Sequence, residues 1–395
     1  MKNKILALAA RFLQDTVAIR RHLHQYPELS FQEVETARFV AGELEKMGVE
    51  FTTGVAGNGI IALVKGKNHT KKTVALRADM DALPITETNE TTYKSRNNGV
   101  MHACGHDAHS AALLGAIRIL QATKEDWEGT VKCLFQPAEE KLPGGASLMI
   151  AAGALENPRP AAIIGQHVFP TLDAGKVGFK PGIYMASSDE LFVTVKGQGG
   201  HGAMPQDGID PIVITAHIIT ALQSVVSRYA HPAIPTVLTL GKINSNGGAT
   251  NVIPSEVMLE GTFRTLDEDW RKKAHVRMTA IAKGIAEGMG GSCDFRIEHG
   301  YPVLHNDEEL TRKSKERAID LLGPDRVVDL PLRLTSEDFA FYTHHLPGCF
   351  YRMGTRNEAR GITSALHTST FDVEEKALET GMALMAWLAI AELAE

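Results

Sequence analysis

The opening stretch, to about Gly48, repeats its apolar positions with the period of a helix: Ile5, Ala9, Phe12, Leu13 and Val17 share one face, and Tyr26-Pro27 interrupts the pattern. Short apolar runs of strand length follow at Gly59 to Val64, Thr73 to Ala78, Thr130 to Phe135 and Ala161 to Gly165. Between the second and third runs, Leu113, Ala116, Ile117 and Leu120 return to the helical period, with Asp107 placed to cap that helix. Strands alternating with helices predict an open, mostly parallel α/β sheet.

From about Ser187 the order changes to strand (Leu191 to Lys196), helix (Pro211 to Arg228), strand (Thr236 to Lys242), strand (Glu256 to Arg264), helix (Glu268 to Glu287) and strand (Ser292 to Glu298). This β-α-β-β-α-β order is that of a ferredoxin-like unit. Strand and helix signals resume after Tyr301, so residues 187–299 are expected to form a domain inserted into one built from residues 1–186 and 300–395. Near the end, Met382 to Ile390 is almost wholly apolar but shorter than the roughly 20 residues a membrane span needs, which predicts a buried helix. Asp372 and Glu375 have the spacing of a capping box at its start. The apolar run before Arg11 is short for a secretory signal and reads as the start of a helix.

Composition narrows the function classes. With 395 residues, 44% hydrophobic and 22% charged, the chain can bury a large core, and two domains are the natural expectation. A formal charge of −6 gives no electrostatic reason to expect nucleic acid. Cys104, Cys133, Cys293 and Cys349 form no CxxC pair, so neither a disulfide framework nor a zinc ribbon is expected, and a reducing cytoplasm without membrane attachment fits best.

The segment His102 to His109, HACGHDAH, packs Cys104, His106 and His109 into the turn before a helix, and thiolate and imidazole are donors that zinc and similar divalent metals favour. Other polar groups follow the strand runs: Asp79 and Asp81, then Gln136, Glu139 and Glu140, then His167. Taken singly, each reads as a solvated carboxylate or a satisfied histidine. Four segments meeting at the strand ends, where open α/β sheets bind ligands, point instead to a cation site. His367, in SALHTST, is a fifth candidate.

Adjacent Glu139 and Glu140 invite a division of labour, one binding a cation while the other takes a proton from water; the plainer alternative is an acidic turn. HExxH and the PCxxC half of the zinc deaminase signature are absent. In the inserted domain, His201 lies in the glycine-rich GQGGHGAMP, Asn251 in GGATNVIP and Arg264 at a strand end. An amide and a guanidinium could hold a substrate carboxylate or carbonyl, although from these residues alone a turn-stabilising Asn251 and a surface salt bridge for Arg264 are the favoured explanation. Glu337 and Asp338, in TSEDFAFY, either line a pocket or start a helix.

Across nearly the whole chain, RRHLHQYPELSFQE, RADMDALPI, HACGHDAH, FQPAEE, GGHGAMP, NVIP, GTFRT, TSEDFAFY and LHTSTF occur in the order of the M20 metallopeptidase family. The sequence resembles its amidohydrolase branch, which includes N-acyl-amino-acid amidohydrolases, hippurate hydrolases and plant auxin-conjugate hydrolases. This resemblance implies a catalytic domain, a lid domain (residues 187–299) used for homodimerisation, and two divalent metal ions per subunit. It makes Cys104, His106, Glu140, His167 and His367 metal ligands, Glu139 the general base, His201 a lid histidine reaching the partner subunit's active site, and Asn251 and Arg264 a substrate-binding pair. Where other members carry an HxD motif, this chain has Asp79 and Asp81, a departure that opens the question of whether Asp81 keeps an orienting role. The implied reaction is cleavage of the amide of an N-acyl amino acid with zinc, manganese, cobalt or nickel. The alternatives are a dipeptidase or carboxypeptidase of the same fold, a non-catalytic metal-binding protein, and a thiol redox protein using Cys104, which lacks a nearby resolving cysteine.

Overall fold

The computed structural model describes residues 1–395 and divides into two compact units. The larger comprises Met1–Tyr184, His305–Leu332 and Asp338–Glu395; the smaller comprises Met185–Leu304 and Arg333–Glu337.

An eight-stranded sheet organises the larger unit, in the order Glu50–Val55, Gly59–Lys65, Thr130–Gln136, Thr73–Asp79, Ala162–Asp173, Gly348–Arg356, Val177–Phe179 and Val327–Asp329. Its centre is parallel: Thr73–Asp79 pairs with Thr130–Gln136 on one side and Ala162–Asp173 on the other, and the last pairs with Gly348–Arg356. Both Thr73–Asp79 and Thr130–Gln136 are buried along their whole length, as apolar runs covered on both faces should be. The register sets Asp79 opposite Gln136, so the turns leaving these two strands emerge side by side. The third strand is longer than its apolar run implies. It extends to Asp173, and His167 therefore lies within it rather than beyond its end.

Helices Lys2–Gln25, His106–Ala122 and Ala377–Leu393 share one core with this sheet. The last is buried on nearly every face, which is why its sequence lacks a polar stripe. Two expected caps are absent. The helix His106–Ala122 starts from Gly105, and Asp107 sits inside its first turn, bonded by Arg20 Nε at 2.7 Å. The final helix starts from Lys376, while Asp372 and Glu375 pair with Arg20 and Arg21. In both places the buried Arg20 claims an aspartate that could otherwise cap the helix, Asp107 in one and Asp372 in the other.

The smaller unit has an antiparallel four-stranded sheet, ordered Thr236–Ser245, Glu256–Thr265, Asp189–Lys196 and Ser292–His299, with helices Pro211–Ser224 and Glu268–Gly288. The β-α-β-β-α-β order is as expected. The stretch Pro211–Tyr229 has the length and hydropathy of a membrane span, but Ile214, Ile218, Leu222 and Val225 are buried in this unit's core. A buried Asp189 opens the first strand, held by Arg271 Nη2 at 2.6 Å and Nε at 2.9 Å and by His275 Nε2 at 2.7 Å.

Candidate metal centre

Four chain segments of the larger unit bring ligand-type atoms together. Cys104 Sγ and His167 Nε2 are 3.4 Å apart, and Cys104, His106 and His167 can each place a donor atom within 4.8 Å of the others. Cys104, Glu140 and His367 form a second such group, and His106, Glu139 and Glu140 a third. His106 Nε2 lies 3.9 Å from both Glu139 Oε2 and Glu140 Oε1, and His367 Nε2 lies 3.3 Å from Glu140 Oε1. All five residues expected from sequence to be metal ligands thus meet beside Glu139.

Local backbone geometry makes this possible. Gly105 sits at φ 83°, and a Cβ there would stand 2.6 Å from Val168 Cγ2, so only glycine lets the HACGHD turn approach the strand that carries His167. Gly145 serves the acidic turn similarly, since a Cβ on it would fall 1.7 Å from the Pro137 carbonyl oxygen. His367 takes a left-handed φ of 61°, and its N–H donates to Ala103 O at 2.8 Å, tying it to the cysteine turn.

The histidines are oriented through their second nitrogens, as metal-binding imidazoles are. Asp81 Oδ1 is 3.1 Å from His106 Nδ1, and Val168 O is 2.7 Å from His167 Nδ1. Each contact leaves Nε2 directed into the cluster. His109 differs: Asp79 Oδ1 is 2.6 Å from its Nδ1, and Val168 N–H donates to its Nε2 at 2.8 Å. With both nitrogens engaged by protein, His109 braces the site, contrary to its grouping with Cys104 and His106 in sequence.

The electrostatics fit a bound cation. His106 Nε2 and Glu140 Oε1 are buried without a hydrogen-bond partner, an expensive arrangement unless a ligand satisfies them. Burial alone would lower the pKa of His106, but Asp79, Asp81 and Glu140 overcome it and push it up to about 10. Burial, with Glu140, Glu139 and Asp79, raises the Cys104 thiol well above the ordinary thiol range. Burial and Arg352 hold His167 well below the usual imidazole value, which keeps it neutral. Asp79 stays ionised despite burial because His106, Arg77 and His109 hold it down. Soft and hard donors crowded around a surplus of negative charge match a divalent transition metal.

Two supporting residues, Ser30 and Arg77, escaped sequence reading, and Asp81 takes the orienting role left open there. Asp81 Oδ2 accepts from Ser30 Oγ at 2.6 Å and from Glu140 N–H at 2.9 Å, so it orients both a histidine and the acidic turn. Arg77 donates to Asp79, Gln136 and Asp338, and the Asp338 N–H approaches Glu139 Oε1 at 3.4 Å. Ser30 belongs to ELSFQE, a polar segment among helices, which was the available signal.

In the smaller unit, a two-residue ribbon pairs His201 with Val252, and Gly202 N–H donates to Asn251 O at 2.7 Å, bringing the His201 and Asn251 segments together. Arg264 donates to Leu334 O and Ser336 Oγ, both at 3.3 Å, and no carboxylate pairs with it, which removes the surface salt bridge as its explanation.

Comparison with known proteins agrees with this chemistry. The family model for peptidase family M20/M25/M40 matches residues 75–391. The chain is 44% identical to an N-acyl-L-amino acid amidohydrolase of Geobacillus stearothermophilus, covering 78% of this chain and 82% of that protein. It is 40% identical to IAA-amino acid hydrolase ILR1-like 4 of Arabidopsis thaliana, covering 100% and 89%. Among solved structures it resembles the Bacillus subtilis YXEP protein, a dinuclear metal-binding peptidase of the M20 family, at 34% identity and a TM-score of 0.84 over 98% of this chain and 99% of that one. The chain belongs to peptidase family M20/M25/M40, and it is a hydrolase acting on amide bonds.

Proposed function

We propose that the enzyme hydrolyses N-acyl amino acids to a carboxylic acid and the free amino acid. The supporting observation is the donor cluster, buried except for the exposed His367 and the partly buried Glu140, with two ligand atoms that make no hydrogen bond, directly beside Glu139. Cys104, His106, Glu140, His167 and His367 would hold two divalent ions, zinc, manganese, cobalt or nickel, which supply Lewis acidity to a scissile carbonyl and bring the pKa of water toward ~7. Glu139 takes one proton from the attacking water as its oxygen bonds to the carbonyl carbon. It returns that proton to the nitrogen as the C–N bond breaks, so the base is restored each cycle. Asp81 holds His106 and the backbone of Glu140 in place, an orienting role that survives the change from the family's HxD pattern. Arg264, without a carboxylate partner, and Asn251 bind the carboxylate end of the substrate, while His201 of the partner subunit steadies the oxyanion.

The same reading includes a homodimer through the smaller unit. Its strand Thr236–Ser245 is paired on one side only and exposes Ile243, and the neighbouring helix exposes Ile212 and Val213. Sedimentation should give the dimer mass, and a monomer at micromolar concentration would contradict this part. Four free cysteines favour a cytoplasmic location.

The decisive assay is a hydrolysis panel of N-acetyl, N-benzoyl and longer N-acyl amino acids beside dipeptides with a free α-amine. It is run on the enzyme as purified, after chelation, and after each metal is restored. Acyl amino acids should be cleaved, chelation should abolish cleavage, and metal should restore it. Exclusive cleavage of free-amine dipeptides would support the dipeptidase reading, and chelation-resistant activity would remove the metal from the mechanism.

A further inference from the structure

The acidic turn that presents Glu139 and Glu140 starts at Ala138, whose φ of 51° lies in the left-handed region that a residue with a Cβ avoids. Something must hold it there. The Ala138 carbonyl accepts from Gly145 N–H at 2.8 Å, and its N–H donates at 2.7 Å to Oε1 of Glu33, a carboxylate more than a hundred residues earlier in the chain. Glu33 is wholly buried and is itself clamped: Phe31 N–H donates to Oε1 at 3.0 Å and Asn58 Nδ2 to Oε2 at 3.1 Å. Phe31, like Ala138, has a left-handed φ, of 69°, so one carboxylate oxygen bridges two unusual turns. Burying a carboxylate is costly, and Glu33 is neither among the clustered ligand atoms nor paired with a lysine or arginine. One of its donors is the N–H of Ala138, the residue just before Glu139.

We propose that Glu33 is a positioning residue for catalysis, fixing the left-handed Ala138 backbone so that the Glu139 carboxylate meets the attacking water. This rests on the reading of Glu139 as general base. Glu140 is anchored separately, through its N–H to Asp81, so removing Glu33 should disturb the base far more than the metal ligand. A misplaced base costs turnover rather than binding.

The experiment is a double-mutant cycle on the metal-loaded enzyme with Glu33→Ala, Glu33→Gln, Glu139→Gln and the double variants, reading kcat, KM and metal content. Glu33→Ala should lower kcat at least ~10-fold, with KM and metal content within about twofold of wild type. Glu33→Gln keeps the Oε1 acceptor and should recover most of that loss. In the Glu139→Gln background, Glu33→Ala should cost nothing further, because its effect passes through the base. An equal kcat loss in both backgrounds, or metal lost in parallel with activity, would overturn the proposal while leaving Glu139 as the base. Near wild-type turnover in Glu139→Gln alone would instead remove the general-base reading itself. Should Glu33→Ala not fold, Glu33→Asp, a methylene too short to reach Ala138 N–H but still charged, carries the same cycle and the same outcomes.

Discussion

At the end of the strand Thr73–Asp79 and at the start of Asp189–Lys196, a buried aspartate faces an arginine and a histidine, Arg77 with His109 in one case and Arg271 with His275 in the other. Around Asp189 the arrangement closes on itself: two donors from Arg271, one from His275 and the Gly300 N–H at 3.3 Å satisfy both oxygens. Around Asp79 it does not close. Asp81, Glu139, Glu140 and the Cys104 thiol crowd the same few ångströms, and His106 Nε2 and Glu140 Oε1 are left without hydrogen bonds. Identical residue types therefore serve structure where charges balance and mark a candidate metal centre where negative charge is in surplus.

The sharpest way to break this contrast is to change one group on each side. Glu139→Gln should reduce turnover at least ~10²-fold while substrate affinity and metal content persist, measured by steady-state kinetics and elemental analysis. Turnover close to wild type would put Glu139 among the merely structural acids. On the balanced side, Asp189→Asn leaves Arg271 buried with half its partners and should cost about 3 kcal/mol of stability by denaturant unfolding, with metal content per folded chain unchanged. Loss of metal in that variant would erase the distinction.

Acid sharpens it further. Against burial, hydrogen bonds from His275 and Arg271 hold Asp189 at about 2, below its ordinary 3.8. A depressed folded-state pKa adds stability that is complete above the unfolded value and lost as pH falls from about 4 toward 2, here about 2 kcal/mol. The stability gap between wild type and Asp189→Asn should accordingly narrow below pH ~4; a gap constant with pH would mean that the aspartate's charge contributes nothing. Smallest in the series is Cys104→Ala, expected to weaken metal binding at least ~10-fold by competition with a chelator, and unchanged affinity would remove the thiolate from the ligand set.

The contrast also explains what could be read from the chain alone. The inserted β-α-β-β-α-β unit was legible because each element carries its own period, and the donors were legible because they cluster at the ends of apolar runs. Pairings across long loops were not. Asp107 has the local signature of a cap, yet Arg20 and His24, far back in the first helix, claim it. His109 stands two residues from Asp107 and looks like a ligand, until Asp79 and the Val168 amide occupy both its nitrogens. The left-handed backbones of Ala138 and His367 leave no trace in composition, since neither is glycine or asparagine.

The central claim is that five side chains from four segments hold two cations beside Glu139, which does not coordinate them. Anomalous diffraction at the absorption edge of zinc or manganese, from crystals of the metal-loaded enzyme, tests it most directly. Two peaks should appear within bonding distance of Cys104 Sγ, His106 Nε2, His167 Nε2, His367 and the Glu140 carboxylate, with Glu139 beside them but not coordinating. A map with no peak there, or one in which Glu139 is itself a ligand, would contradict the account.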